Sequence, residues 1–135
     1  MSVFLDTNVV VYAFDRADPA KQRTAIAVLD GDERLVVSTQ VLLETWWVLT
    51  RRLGTPLDED EASKVIDELC VLPVVSTDAE LVRRAIETTQ RFHIAVWDAL
   101  IIEAARSGGC HRVLSEDLQA GQDFDGVVVE NPFEW

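Results

Sequence analysis

A chain of 135 residues, 48% hydrophobic and 27% charged, suits one folded domain spanning residues 1–135 and excludes a disordered tail. No apolar run approaches the ~20 residues of a membrane helix, and Met1-Ser2-Val3-Phe4-Leu5-Asp6 lacks the basic segment of a secretory signal, so a cytoplasmic location without membrane contact is expected. The net charge of −12 opposes a broad basic footprint for nucleic acid, yet leaves room for a local basic strip or for metal ions that offset acids facing phosphate.

Val3-Phe4-Leu5 is a short apolar run that stops at Asp6-Thr7-Asn8, residues with turn and capping chemistry, and predicts a buried strand followed by a helical turn through Val9–Tyr12. Asp18-Pro19 opens a helix with Asp as N-cap and Pro at the first position, running to about Asp30 and stopping at Gly31. Leu35-Val36-Val37 is the second strand. Ser38 or Thr39 then caps a helix that ends at Arg51-Arg52-Leu53, with Gly54 at C′. After Thr55-Pro56-Leu57, a helix over about Asp58–Cys70 carries acids in its first turn, where the helix dipole favours them. Pro73-Val74-Val75 is the third strand, and Thr77 with Glu80 has capping-box spacing before a helix to about Phe92. A last helix holds Trp97-Asp98 and ends near Ser107-Gly108-Gly109; Val113-Leu114-Ser115 and Val127-Val128-Val129 supply strands four and five. Compact, wholly apolar strands alternating with helices predict an α/β fold with a mostly parallel sheet covered on both faces.

In such a sheet, ligands bind beyond the carboxyl ends of the strands. Asp6 lies at that end of strand one, and Asp117 lies two residues past Ser115 at the end of strand four. Glu44 and Asp98 come from helices, each among apolar neighbours that predict partial burial; a buried carboxylate needs a cation or hydrogen-bond donors. Hard divalent cations favour oxygen ligands and can activate water against a phosphate, so four convergent acids suit metal-assisted chemistry. Taken singly, each acid also reads as a solvated charge, a cap or an arginine partner. Cys70 and Cys110 match no zinc or redox spacing and are expected as reduced, mostly buried thiols, which fits a reducing cytosol.

The segments Phe4-Leu5-Asp6-Thr7-Asn8, Ser38-Thr39-Gln40-Val41-Leu42-Leu43-Glu44, Trp97-Asp98-Ala99-Leu100-Ile101 and Leu114-Ser115-Glu116-Asp117-Leu118-Gln119 closely resemble PIN-domain nucleases. Together with the tail Gly126-Val127-Val128-Val129-Glu130-Asn131-Pro132-Phe133, they look most like the VapC-type toxins of toxin–antitoxin modules. The resemblance implies a three-layer α/β/α fold around about five strands and a Mg²⁺- or Mn²⁺-dependent endoribonuclease. It also implies a homodimer silenced by a small VapB-like antitoxin. The family's acidic tetrad corresponds here to Asp6, Glu44, Asp98 and Asp117. Asp6 and Asp98 are expected to hold metal most directly, while Glu44 and Asp117 complete the cluster and position or activate water. Asn8 and Ser115 take supporting places, and Asp123 is the candidate for a fifth acid.

Arg51 lies seven residues after Glu44, nearly on the same helix face, and is a candidate RNA contact. Arg83, Arg84 and Arg91 form a second candidate strip; the alternative is that these arginines pair with surface acids or receive an acidic antitoxin segment. Trp46, Trp47 and Trp97 are expected in the core or a dimer seam more than in base stacking. Asp123-Phe124-Asp125-Gly126 lacks the full calcium-loop pattern and reads as a turn. The expected activity is hydrolysis of RNA phosphodiester bonds, leaving 3′-hydroxyl and 5′-phosphate ends. One alternative is an inert PIN-like module that binds protein or RNA. Another is a phosphotransferase with Asp6 as nucleophile, although Asn8 stands where such sites need a second Asp.

Overall fold

The computed structural model describes residues 1–135. Strands β1 (Ser2–Leu5), β2 (Arg34–Ser38), β3 (Val74–Val75), β4 (Arg112–Leu114) and β5 (Val128–Glu130) form one sheet in the order β3-β2-β1-β4-β5, parallel throughout. Helices α1 (Thr7–Tyr12), α2 (Pro19–Leu29), α3 (Thr39–Arg51), α4 (Glu59–Leu69), α5 (Ala79–Phe92) and α6 (Val96–Ser107) flank it, and a 3₁₀ turn covers Pro132–Glu134. The result is the expected three-layer α/β/α architecture. The core joins β1, β2 and β4 to α6, whose Ala99–Ala105 stretch is buried throughout.

β1 sits at the centre because it can be buried on both faces and both edges: Val3, Phe4 and Leu5 are at most 1% exposed. From β1 the chain winds outward through β2 and β3, then returns to lay β4 and β5 on the other side. The winding direction reverses between β1 and β4, and that switch point is where open parallel sheets leave a crevice. Register aligns Leu5 with Leu114, and the Asp6 amide donates to the Leu114 carbonyl at 3.0 Å. The residues that follow both strands are thereby delivered to one place.

Several local details depart from the expected ones. α5 is capped by Asp78, which accepts from the Leu81 amide, and not by Thr77; Thr77 bonds Thr39 across to α3 instead. α3 ends through Arg52 in the right-handed region and a buried Leu53, so Gly54 is not the C′ residue. β5 begins at Val128 because Val127 exchanges backbone hydrogen bonds with Phe124 across the Asp123–Gly126 turn. That turn is real: Asp125 and Gly126 both have positive φ, and the Gly126 amide donates to Asp123 Oδ1 at 2.7 Å. Cys110 is buried, but Cys70 is exposed because it caps the end of α4, whose buried side is Ala62, Val65 and Leu69. Trp46 packs against the core, whereas Trp47 and Trp97 are 48% and 66% exposed, so neither is a core residue.

Candidate active site

Asp6 is the residue after β1 and the N-cap of α1, which turns its carboxylate back over the helix start. Its Oδ1 accepts from the Thr7 amide at 2.8 Å. Its Oδ2 accepts from the Ser115 hydroxyl at 2.8 Å and from Asn8 Nδ2 at 3.3 Å. Ser115, fully buried just past β4, gathers the loop around it: its Oγ accepts from the Asp117 amide at 3.1 Å and the Leu118 amide at 3.4 Å. Asn8 spans the gap between strands, with Nδ2 donating to Ser115 Oγ at 3.2 Å and Asp117 Oδ2 at 3.1 Å. Its Oδ1 accepts from the Glu116 amide at 3.1 Å. Asn8 and Ser115 therefore fix Asp6 and Asp117 relative to each other.

Glu44 reaches the same crevice from α3. Its Oε2 accepts from the Thr7 hydroxyl at 3.0 Å, and its Oε1 from Gln40 Nε2 at 2.8 Å. Its expected burial is overturned: α3 turns Val41, Thr45 and Leu49 inward, which leaves Glu44 exposed at the mouth above Thr7. Asp98, in the first turn of α6, is half-buried. Gln40 Nε2 also approaches the Trp97 carbonyl at 3.5 Å, linking α3 to that helix start.

Asp6 and Asp98 each feel the charges of Glu44 and Asp117. Burial pushes the Asp6 carboxyl up to about 6, its bonds to Ser115 and Thr7 draw it down, and the charges of Glu44 and Asp117 raise it further. Asp98 is likewise raised, first by burial and then by Asp117 and Glu44. None of the four pairs with a lysine or arginine. A cavity of about 330 Å³ lies over Asp6, Asn8, Glu44 and Asp117, with Arg52 and Glu116 on its wall. No three acid, histidine or cysteine side chains are close enough to enclose an ion by themselves. The all-oxygen donor set and the missing positive partners therefore fit a hard, largely hydrated cation held by one or two carboxylates, not a closed protein cage.

The other expected contacts are distributed differently. Asp123 is exposed and engaged with Gly126 in its own turn. Arg84 pairs with Glu80 and Arg91 with Asp125, the surface pairing that the sequence left open, and Arg83 is exposed without a partner. Arg51 lies over the Trp47 ring, 4.4 Å from its centroid. Sequence reading missed Thr7 and Gln40, although adjacency to Asp6 and the i−4 relation to Glu44 were signals for them. It also missed the ring of Tyr12, Lys21 and Glu116, in which Glu116 accepts from Lys21 Nζ at 2.8 Å and from Tyr12 Oη at 2.6 Å. No local pattern links those three positions.

A model of the PIN-domain family matches residues 3–122. Among solved structures, the chain is similar to a VapC toxin of Mycobacterium tuberculosis that cleaves the sarcin–ricin loop, at 23% identity and a TM-score of 0.66, covering 82% of this chain and 86% of that one. It is also similar to a VapBC complex of Rickettsia felis bound to a promoter DNA fragment, at 18% identity and a TM-score of 0.68, covering 97% and 98%. A toxin–antitoxin complex from Klebsiella pneumoniae gives 16% identity and a TM-score of 0.69, covering 96% and 97%. No curated protein matches the sequence.

Proposed function

The chain belongs to the PIN-domain family, and on that premise we propose that it is a Mg²⁺- or Mn²⁺-dependent endoribonuclease, the toxin of a toxin–antitoxin pair. The observation that carries this reading is the cavity at the crevice between β1 and β4, which the carboxylates of Asp6, Glu44 and Asp117 line without one positive partner, Asp6 among them buried, while Asp98 lies within range of the Glu44 and Asp117 charges. Uncompensated acids of that kind oppose folding unless a cation neutralises them in use.

Asp6 and Asp98 are the residues assigned to hold the ion, with Glu44 and Asp117 completing its negative surroundings. When bound, such an ion supplies charge stabilisation at the attacked phosphate and makes water a better nucleophile. Ser115 and Asn8 hold Asp6 in one rotamer and keep Asp117 facing it. Thr7 and Gln40 orient Glu44, whose exposed position lets it accept a proton from water at the mouth. Asp6, by contrast, is largely enclosed and reaches the cavity with only a small part of its surface. The reaction is hydrolysis of the RNA phosphodiester to 3′-hydroxyl and 5′-phosphate ends.

The same reading makes the protein a homodimer of single PIN domains over residues 1–135, working in the cytoplasm and silenced by a small VapB-like antitoxin. Support for the partner comes from the toxin–antitoxin complexes that share its fold; support for the location is that no helix is long and apolar enough to cross a membrane. The test uses purified, antitoxin-free protein with total RNA and Mn²⁺. Cleavage that disappears in Asp6→Asn and Asp98→Asn, both still folded, is the expected result. Cleavage that survives both substitutions rules the site out, and absence of divalent-metal binding in calorimetry favours an inert binding module.

A further inference from the structure

Glu116 stands between Ser115 and Asp117 and lines the cavity over Asp6, yet its carboxylate is committed elsewhere. Its Oε1 accepts from Tyr12 Oη at 2.6 Å and its Oε2 from Lys21 Nζ at 2.8 Å. Lys21 Nζ also donates to Tyr12 Oη at 3.3 Å, closing a ring of side chains from α1, α2 and the loop after β4. The ammonium lies 4.8 Å from the Tyr12 ring centroid and 5.6 Å from that of Phe133, and the two rings meet edge to face. On its main chain, the Glu116 amide donates to Asn8 Oδ1 at 3.1 Å, so Glu116 is gripped at both ends.

Asp117 is held less firmly. It is exposed, and its carboxylate accepts from Asn8 Nδ2, whose two hydrogens serve Asp117, Ser115 and Asp6 at 3.1, 3.2 and 3.3 Å. Both side-chain bonds to Glu116 are shorter than any that Asp117 makes. The Lys21–Glu116 pair is only partly buried, and a pair of that kind adds little to global stability. Its consequence is local.

We propose that Lys21, with Tyr12, is a positioning residue that acts through Glu116, fixing the loop after β4 so that Asp117 faces Asp6 across the cavity. The inference rests on the cation site proposed above and adds to it a residue that touches none of the four acids. Glu116 and Asp117 are adjacent in the chain, so anchoring one side chain limits the backbone rotations open to the other. Lys21 also keeps the Glu116 carboxylate from competing for the cation. Bonds that orient a ligand set are typically worth roughly 10- to 100-fold in metal affinity. Charge alone acts in the opposite direction, because removing a positive group beside an acidic cavity draws a cation in more tightly. The sign of the effect of Lys21→Met therefore separates positioning from charge.

The test measures Mn²⁺ binding by calorimetry. Lys21→Met and Glu116→Gln are each expected to raise Kd about tenfold. The double variant restores the parent's net charge and should bind no more tightly than either single one, as expected of residues acting in series. Lys21→Arg, which keeps a charged donor, should stay within about threefold of the parent. Arg23→Met removes the same charge from α2 without breaking the ring and should stay within about twofold. In the metal-free protein, the Asn8 side-chain amide that donates to Asp117 should shift in nitrogen-15 spectra of Lys21→Met and return in Lys21→Arg.

Mn²⁺ affinity in Lys21→Met equal to the parent's or higher overturns the assignment. So does a lower Tm in Lys21→Met with Kd unchanged, which makes the ring a structural contact only, or a loss that Glu116→Gln does not share. If the parent binds no Mn²⁺, the cation reading fails and the Asn8 resonance decides alone: a shift keeps the positioning role, and an unmoved resonance removes it. Absence of RNA cleavage with the Mn²⁺ effects intact removes the nuclease and keeps the role of Lys21.

Discussion

Asp6 has an unusual position for an acid: it is only 9% exposed and its carboxyl is raised to about 6. Below about pH 4 it is protonated in both the folded and unfolded chain, and its burial then carries no charge penalty. Between about pH 4 and 6 the unfolded chain ionises while the folded one keeps its proton, so metal-free stability falls as pH rises. Asp6→Asn should therefore stabilise the chelated protein by about 2 kcal/mol at pH 7.5 and by nothing at pH 3.5, an effect readable in urea titrations at the two values. A gain equal at both pH values would mean that the charge is not what burial penalises. The proton also competes with metal. Mn²⁺ affinity should drop roughly fourfold or more from pH 7.5 to 5.5 as Asp6 takes up its proton, and calorimetry can follow it. Ser115→Ala removes the donor that orients Asp6 and should lower metal affinity or cleavage about 10- to 100-fold while leaving the fold intact. At this scale the sequence was informative where position along the chain fixes position in space. Asp6, Asn8 and Ser115 stand at strand ends, and a strand end has one place to be. Glu44 was placed correctly on its helix but expected on the wrong side of the surface, since the apolar residues around it do not reveal which of them α3 buries.

At the scale of elements, Gly108 shows how tightly α6 closes on the sheet. A Cβ there would stand 2.9 Å from Val36 Cγ1 and 3.1 Å from Val75 Cγ2, side chains of β2 and β3. Branched valines on adjacent strands have little room to rotate, so Gly108→Ala should destabilise the protein by about 1–3 kcal/mol. Thermal unfolding checks this; an unchanged Tm would show that the end of α6 is free to lift. The sequence marked Gly108 only as a helix stop, because the valines that crowd it lie far away in the chain. Elements with their own chemistry were legible: Asp18-Pro19, Ser38 and Asp58 each cap a helix near the expected place. Ends settled by tertiary packing were not. Gly54 offered a conventional stop for α3, yet burial of Leu53 and the bond from the Leu57 amide to the Leu49 carbonyl decide that turn.

Across the whole molecule, twelve excess negative charges repel one another, and Asp6, Glu44 and Asp117 line one crevice. Sodium chloride should raise Tm by screening that repulsion, while millimolar Mn²⁺ should raise it by several degrees more than NaCl of equal ionic strength. Equal effects of the two salts would make the acids mere charges instead of ligands. The alternation of short apolar strands with helices made the layered architecture legible, because only burial on both faces explains strands without polar residues. Strand order was not legible, nor was the exposure of Trp47, since no periodicity tells a tryptophan to remain outside.

The central place of β1 has a consequence for synthesis on the ribosome. β1 leaves the exit tunnel before the other strands, but its neighbour β4 comes fourth, and the Ser115 hydroxyl that holds Asp6 follows 109 residues behind that acid. Until then one edge of β1 stays unpaired and the crevice has only one wall. The nascent chain therefore cannot join Asp6 to Ser115 and Asp117 before β4 has been made. A polypeptide stalled before β4 should sediment as an aggregation-prone species with an open strand edge, conspicuous to quality control.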